Sequence, residues 1–215
     1  GRVASGGSTA SDRSTSESGS LHGGAASVHG GSAIQSLRRQ VSSSTLGISD
    51  FSVMGKLGEG GYGTVLLARH KANNSMHALK ILLKENIHSE VQAERVLSEA
   101  KAMSEVRHPF IVSMQGAFQD ETHIVFVLEY VGGGDLYTRL RDAPIEEFAA
   151  RTIVAEIALA LGHVHEHQYM YRDLKAENVL VCIDGHIKLA DFGLAKKLSD
   201  KRQERTTRDS GGGTR

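Results

Sequence analysis

A glycine-rich run at residues 58–65 is the feature that most limits what this chain can fold into. It reads Gly58-Glu59-Gly60-Gly61-Tyr62-Gly63-Thr64-Val65. Glycines at this spacing let backbone amides approach phosphate oxygens with no side chain between them. Dinucleotide-binding folds use similar spacing, but there the glycines open a helix. Because Thr64 to Leu67 favour β-structure, the run predicts a loop between two strands and argues against a dinucleotide-dependent oxidoreductase.

The first 48 residues differ in composition from the rest of the chain. Ser and Gly dominate residues 1–48, where aromatic and large aliphatic side chains are scarce. Such a segment buries too little apolar surface to offset the entropy lost on ordering, so we predict a flexible tail. The segment Arg38 to Ser42 places a serine three residues after an arginine, which leaves a regulatory role as the alternative to a plain linker.

Charge and cysteine content exclude several function classes. The 25 Lys and Arg residues balance 25 Asp and Glu residues, which argues against a general nucleic-acid or membrane binder. No apolar run approaches the length of a membrane span. The single cysteine, Cys182, excludes an internal disulfide framework and favours an intracellular location, most simply the cytoplasm.

Periodicity predicts strands first and helices later. Five strands are expected at 51–57, 64–69, 77–83, 111–118 and 123–129. Helices are expected at 90–105 and 146–165, the first with Val91, Val96, Ala100 and Met103 on one face. Two short strands, 179–183 and 187–189, flank Asp184-Gly185, a strong hairpin signal.

A lysine inside an apolar strand is the second chemical signal. Lys80 follows Ala78 and Leu79 in the third predicted strand. An unpaired buried ammonium is costly, so Lys80 needs an anionic partner such as phosphate oxygens or a glutamate. Glu99 on the following helix is the best candidate, and Glu90 and Glu94 remain competitors.

Two polar motifs lie near the end of the chain. In Tyr171-Arg172-Asp173-Leu174-Lys175-Ala176-Glu177-Asn178, three functional groups share one loop. Asp173 can orient a hydroxyl and accept its proton, Lys175 can steady a transferring phosphoryl group, and Asn178 can ligate a metal. The second motif, Asp191-Phe192-Gly193, supplies a carboxylate that can hold Mg²⁺.

The order of these motifs resembles the protein kinase family. Tyr171 before Arg-Asp, His108-Pro109-Phe110 and Glu129 to Leu136 are similar to the group of cyclic-nucleotide-dependent and G-protein-coupled-receptor kinases, often termed AGC-like. Lys175, two residues after Asp173, is typical of the serine/threonine branch. The resemblance implies a transferase that moves the ATP γ-phosphoryl group to protein Ser or Thr hydroxyls with Mg²⁺. A kinase-like nucleotide-binding or scaffold module without catalysis is the alternative.

The resemblance also implies an α+β, bilobal fold. We expect a disordered tail at 1–48, an N-lobe at 49–130 with a five-stranded antiparallel sheet and one main helix, and a partial C-lobe at 131–215. The family's Pro-Glu stop signature does not follow Gly213-Thr214, so the domain is expected to be incomplete and the chain alone inactive. A missing partner would then leave one helix face wet, the face of Phe148, Ile153, Ile157 and Leu161.

Further site residues follow from the resemblance position by position. ATP would contact the glycine-rich loop, with Lys80 on its phosphates, and the adenine ring would be sandwiched by Leu57, Val65, Ala78 and Leu180. Leu128 would be the gatekeeper, Glu129 and Val131 would offer backbone groups to adenine, and Asp135 would reach the ribose. An apolar column joining the lobes would consist of Met103, Met114, Tyr171 and Phe192.

Regulation and substrate choice are implied in the same way. Arg95, Arg172 and Lys196 match a basic pocket for a phosphorylated activation loop, with Ser210 as the favoured phosphosite. Asp135 and Glu177 match positions that contact arginines upstream of the target residue. The resemblance therefore implies protein substrates with arginine before the acceptor, although both carboxylates also suit ribose binding and local packing.

Overall fold

A computed structural model describes residues 46–60 and 63–198. Most of the predicted tail, together with Gly61, Tyr62 and Ser210, lies outside these ranges. The strands are β1 (Phe51–Gly60), β2 (Gly63–His70), β3 (Met76–Leu83), β4 (Met114–Gln119), β5 (His123–Glu129), β6 (Tyr169–Met170), β7 (Val179–Val181), β8 (Ile187–Leu189) and β9 (Lys196–Lys197). The α-helices are α1 (Glu90–Glu105), α2 (Leu136–Asp142) and α3 (Glu147–Glu166), and 3₁₀ turns lie at Ile48–Asp50, Lys84–Asn86 and Ala176–Asn178.

Strands β1 to β5 form one antiparallel sheet in the order β1-β2-β3-β5-β4. Both of its faces are covered, as the alternation along β5 shows. Val125 and Val127 pack with Phe51, whereas Ile124 and Phe126 pack on the opposite face with residues of α1. Since side chains alternate along a strand, Lys80 lies on the α1 side with its cross-strand neighbour Phe126. The predicted five-stranded sheet is confirmed.

Helix α1 has the bounds that periodicity predicts, because its start is capped. The Ser89 side chain accepts a hydrogen bond from the Gln92 amide, and the Gln92 side chain accepts one from the Ser89 amide. This reciprocal pair satisfies amides that lack an intrahelical partner. The capped start fixes where Glu99 lies along the helix. Val91 is an exception to the predicted apolar face, since it is largely exposed.

The elements after β5 are mainly helical and enclose a second core. Leu136, Ala160, Val164, Tyr169, Ile187 and Leu189 belong to it, together with Met103 of α1. Ile153, Ile157 and Leu161 pack against this core, so the expectation of a fully wet α3 face is wrong for these three residues. Phe148, at the start of α3, is exposed as expected. Within the described ranges no helix is long and apolar enough to cross a bilayer.

Two elements differ from their predicted extents for local reasons. The predicted strand at 111–118 begins only at Met114, since Ile111 pairs instead with Leu189 of β8 in a parallel bridge. Helix α2 was not predicted, although its signal was present. Both Asp135 carboxylate oxygens accept hydrogen bonds from Thr138, one from the amide at 2.8 Å and one from the hydroxyl at 3.0 Å, which makes Asp135 an N-cap.

Candidate active site

Three charged side chains from distant parts of the chain meet beside β3. Lys80 Nζ lies 2.5 Å from Glu99 Oε1 and 3.0 Å from Asp191 Oδ1. Glu99 is buried, so the structure selects it over Glu90 and Glu94 as the partner of Lys80. The triad joins the sheet, helix α1 and the segment after β8. It fixes an ammonium group where an anionic ligand can reach it.

Electrostatics keep Lys80 and Asp191 charged, whereas burial raises the pKa of Glu99. Burial by itself would lower the pKa of Lys80, but the carboxylates of Glu99 and Asp191 raise it above its ordinary value. Burial would likewise raise the pKa of Asp191, yet Lys80 and the Gly193 amide hold it below the ordinary value. Lys80 therefore stays an ammonium and Asp191 a carboxylate around neutral pH.

The loop after β6 brings Asp173, Lys175 and Asn178 together as predicted. Asp173 Oδ2 accepts hydrogen bonds from Lys175 Nζ and from Asn178 Nδ2, both at 2.8 Å. Asn178 Nδ2 also lies 2.9 Å from the Asp173 carbonyl oxygen, which ties the two ends of the loop. The hydrogen bond to Asp173 raises the pKa of Lys175. A partly exposed carboxylate is thus held in one orientation by two donors.

An apolar contact holds this loop against the Asp191 segment. The rings of Tyr171 and Phe192 meet edge to face with centroids 5.2 Å apart, and both are buried in the same core as Met103. Met114 packs against that core. The Tyr171 hydroxyl donates to the Ala190 carbonyl oxygen. Because Phe192 points into the core, its neighbour Asp191 is left on the side of Lys80.

The predicted adenine-contacting residues line the same face of the sheet as Lys80. Val65 pairs with Lys80, and Ala78 pairs with Leu128, so these side chains share one face. Leu180 of β7 lies outside the five-stranded sheet and forms a β-bridge with Asp135. Next to it, the Val181 amide donates a hydrogen bond to the Gly134 carbonyl oxygen at 2.8 Å. Leu57 is half exposed in β1. Val131 follows β5 in an irregular segment.

Two predicted ligand residues already have partners within the chain. The Glu129 amide donates to the Ser113 carbonyl oxygen at 2.9 Å, and the Glu129 carboxylate lies 3.1 Å from Lys188 Nζ. The Asp135 carboxylate caps α2, as described above. Contact of the Asp135 carboxylate with a ribose would compete with this cap, and the Glu129 amide could donate to adenine only by releasing Ser113.

The glycines of the loop at 58–63 are required for different reasons. A Cβ on Gly63 would lie 1.9 Å from the Ile81 carbonyl oxygen, so β3 itself demands glycine there. A Cβ on Gly58 or Gly60 would meet no atom of the described chain within 4 Å. Packing against the described residues therefore does not explain these two glycines, which leave the backbone open to close approach by a ligand. Glu59 pairs with Lys56 on the exposed side of the loop.

The oxygen donors present suit Mg²⁺. Asp191 offers a half-exposed carboxylate, and Asn178 offers an amide oxygen while its nitrogen is held by Asp173. Among the described residues no group of three or more His, Cys, Asp or Glu residues could hold a metal ion. One carboxylate and one amide fit a Mg²⁺ ion that takes its other oxygens from phosphates and water, rather than a cage built by protein alone.

A cavity of about 1160 Å³ lies between α1 and the segment after Phe192. Its lining includes the predicted Arg95, Arg172 and Lys196, together with Lys101, Lys197 and Glu94. Arg172 Nε donates to the Leu194 carbonyl oxygen at 2.7 Å, and Lys197 pairs with Glu105. Val91 lines this cavity, in keeping with its exposure.

One polar pair near the site was missed by sequence reasoning. Glu156 on the apolar face of α3 is buried and accepts a hydrogen bond from His186 Nδ1 at 2.5 Å. That bond and the charge of Glu156 raise the pKa of His186. The available signal was a glutamate three residues after Ile153 and four before Ala160, within an otherwise apolar stripe. Cys182 is half buried, and burial raises its thiol pKa, as expected for an inert cysteine.

Comparison with known proteins agrees with this geometry. Residues 51–214 match the protein kinase domain family. The chain is 43% identical over 151 residues to the serine/threonine-protein kinase Sgk1 of Rattus norvegicus, covering 69% of this chain and 35% of that protein. It is 39% identical over 156 residues to the RAC family serine/threonine-protein kinase homolog of Dictyostelium discoideum, covering 72% and 35%.

A third relative is the protein kinase C-like protein of Neurospora crassa, 39% identical over 155 residues, which is 71% of this chain and 14% of that protein. The chain thus spans about a seventh to a third of the length of these relatives. The family match covers well over half of the chain and includes the sheet, the lysine–glutamate pair, the loop at 171–178 and Asp191. The chain therefore belongs to the protein kinase domain family.

Proposed function

We propose that the protein carrying this chain transfers the γ-phosphoryl group of ATP to serine or threonine hydroxyls of protein substrates. The observation that carries the proposal is the convergence of Lys80, Glu99 and Asp191 with the bonded set of Asp173, Lys175 and Asn178. Phosphoryl transfer asks a protein mainly to position groups and to stabilise charge. These two clusters supply both.

Each residue has a defined task in this proposal. Lys80, held by Glu99, would bind phosphate oxygens, and the amides around Gly58 and Gly60 would approach them from above. Asp173 would orient the acceptor hydroxyl and take its proton, while Lys175 would offset negative charge on the transferring group. Asp191 and Asn178 would hold Mg²⁺, which shields the phosphate charges when bound. Val65, Ala78, Leu128 and Leu180 would enclose the adenine, with Glu129 and Val131 offering backbone groups.

A nucleotide-binding module without catalysis is the weaker alternative. Such a module is expected to have lost the strand lysine, the loop aspartate or the metal-binding aspartate, and Lys80, Asp173 and Asp191 are all present. The two are separated by ADP release from Mg·ATP with an arginine-containing serine peptide. Nucleotide binding without ADP release and without phosphopeptide would favour the module.

A preference for arginine before the acceptor residue is a further part of the proposal. We assign this preference to Glu177, which is exposed in the loop at 171–178, since the Asp135 carboxylate is already engaged in capping α2. Glu177→Gln should raise the KM for a peptide with arginine upstream and leave the KM for ATP unchanged. If the protein selected acidic or proline-directed sequences from a peptide library, this preference would be contradicted.

We also propose that the protein is cytoplasmic. The support is its single cysteine, Cys182, which is a free thiol.

We propose that the basic cavity receives a phosphorylated Ser210. The shared cavity of Arg95, Arg172 and Lys196 is the support, since clustered cations favour a dianionic phosphate. Ser210 itself lies outside the described residues. Mass spectrometry of active protein, together with Ser210→Ala, tests the proposal. Full activity without phosphate at Ser210 would refute it.

A further inference from the structure

Glu156 is a buried carboxylate that the catalytic machinery described above does not use. It lies on α3 with about 5% of its surface exposed, on the same side as the buried Ala160 and Val164. A charge in such a position is costly unless it is paired, and a well-packed apolar residue often serves stability as well or better. Stability alone therefore gives a weak reason for a glutamate here.

Both oxygens of Glu156 accept hydrogen bonds from the turn and strand of one hairpin. Oε1 lies 2.5 Å from His186 Nδ1, and Oε2 lies 2.9 Å from the backbone nitrogen of Ile187. Ile187 is fully buried and is the first residue of β8. Two donors thus converge on one side chain. A carboxylate accepts from both, whereas an amide of the same shape accepts with one atom only, and its NH₂ group suits His186 only in the tautomer whose Nδ1 carries no proton.

Strand β8 leads directly to the metal-binding residues. Leu189 donates its amide to the Phe110 carbonyl oxygen and accepts from the Val112 amide, each at 2.9 Å. The next amide, that of Ala190, donates to the Asn178 carbonyl oxygen at 2.8 Å. Asp191 follows immediately. The strand is therefore held at its start by Glu156 and at its end by Asn178.

We propose that Glu156 is a positioning residue that sets the spacing of Asp191 and Asn178 for Mg²⁺, acting through β8. The inference rests on the proposed function, since it assigns the metal to these two residues. The carboxylate anchors the Ile187 amide to the rigid helix α3. Without that anchor the start of β8 loosens from α3, and the disturbance passes along the strand to the hydrogen bond from the Ala190 amide to the Asn178 carbonyl oxygen. Because Asp191 directly follows Ala190, loosening of this bond changes the spacing of Asp191 and Asn178. His186 holds the carboxylate in the orientation that meets Ile187.

The test measures metal binding directly and uses the isosteric Glu156→Gln in the full-length protein. In the first titration, Mg²⁺ is added to the protein with a fluorescent ATP analogue, and the fluorescence of the analogue reports binding. In the second, protein is added to the same analogue in EDTA, which gives the affinity without metal. We expect the Mg²⁺ concentration for half-saturation to rise about three- to tenfold, by analogy with losses of residues that orient metal ligands. The affinity for the analogue in EDTA should change less than about twofold, because the nucleotide-contacting residues are untouched. Hydrogen exchange at Ile187 and Ala190 should speed up.

Two controls separate positioning from general destabilisation. Glu147→Gln changes an exposed glutamate on the same helix that pairs with Arg151, and it should leave both titrations unchanged. Val164→Ala removes buried volume from the same core, and it should lower Tm without changing the Mg²⁺ requirement. His186→Ala removes one partner at a half-exposed position, so it should fold even if Glu156→Gln does not. Its Mg²⁺ half-saturation should rise about twofold.

The outcomes distinguish this inference from the proposed function. If the parent protein binds no nucleotide with Mg²⁺, the proposed function and this inference both fail. If the parent binds normally and neither Glu156→Gln nor His186→Ala shifts the Mg²⁺ titration, only the inference is overturned. The inference is also overturned if Val164→Ala, with the same loss of Tm as Glu156→Gln, raises the Mg²⁺ concentration for half-saturation equally. The effect would then reflect loosened packing.

Discussion

Lys80 and Asp191 lie 111 positions apart in the sequence, yet Lys80 Nζ and Asp191 Oδ1 are 3.0 Å apart. Lys80 belongs to the sheet and Asp191 to the segment after β8. The pair is partly open, since about half of the Asp191 side chain is exposed. A ligand carrying phosphate and a divalent cation can therefore enter between the two charges without unfolding either element.

Lys80→Met should abolish phosphoryl transfer by the full-length protein. The change removes the only preorganised ammonium of the triad and leaves Glu99 buried without its partner. Loss of such a charge should lower kcat at least about 100-fold, or ~2.7 kcal/mol of barrier. Peptide phosphorylation under saturating Mg·ATP measures it. Lys71→Met, an exposed lysine that donates to the Ser49 carbonyl oxygen, is the matched control and should retain parental kcat.

Asp173→Asn should have a similar effect for a different reason. The amide keeps the size of the carboxylate but cannot take the proton of the acceptor hydroxyl, and its NH₂ group would face donors from Lys175 and Asn178. We expect kcat to fall at least about 100-fold with little change in nucleotide affinity. Near-parental kcat in this variant would show that the loop has been wrongly assigned. Asp142→Asn, at an exposed position on α2, serves as control.

Gly63→Ala should destabilise the fold, whereas Gly60→Ala should not. The added methyl at 63 would meet the Ile81 carbonyl oxygen and force β2 away from β3. Overpacking of this kind costs about 1–3 kcal/mol. At Gly60 nothing in the described chain obstructs the methyl. Urea unfolding measures the first effect. An unchanged midpoint for Gly63→Ala, or a larger loss for Gly60→Ala, would contradict the distinction.

Acid should weaken the fold through His108. Its Nδ1 accepts a hydrogen bond from the Phe110 amide at 3.2 Å, and its ring lies 5.0 Å from that of His163. Burial, then the charge of His163, lowers the pKa of His108; Lys188 acts in the same direction and Glu166 opposes it. Because the folded pKa lies below the unfolded value of about 6.5, the folded state binds fewer protons. Stability is therefore lost as pH falls through that unfolded value.

His108→Asn tests this pH dependence. Asparagine can present an oxygen to the Phe110 amide, but it does not titrate in this range. Between pH 7.5 and 5.5, Tm should fall less in the variant than in the parent. Equal pH slopes in the two proteins would show that His108 does not carry the acid sensitivity.

Local sequence determined the elements that bear the site. Helix α1 was predicted from its apolar periodicity, and it has the predicted bounds because Ser89 and Gln92 cap its start within four residues. The glycine-rich loop was predicted between two strands because Thr64 and Val65 favour β-structure. The start of β4 and helix α2 were missed, since the first depends on a bridge between Ile111 and Leu189 and the second on a capping signal at Asp135.

The sequence by itself determined which residues carry charge and on which element each lies, because propensity, capping and periodicity act over a few neighbouring residues. Tertiary structure alone decided which of them meet. It selected Glu99 over Glu90 and Glu94 as the partner of Lys80, and it joined buried Glu156 to the start of β8. It also decided that close packing against β3 requires glycine at position 63 but not at position 60. Burial and long-range hydrogen bonds arise only when the sheet, α1 and α3 pack, and no local pattern encodes the distances between them.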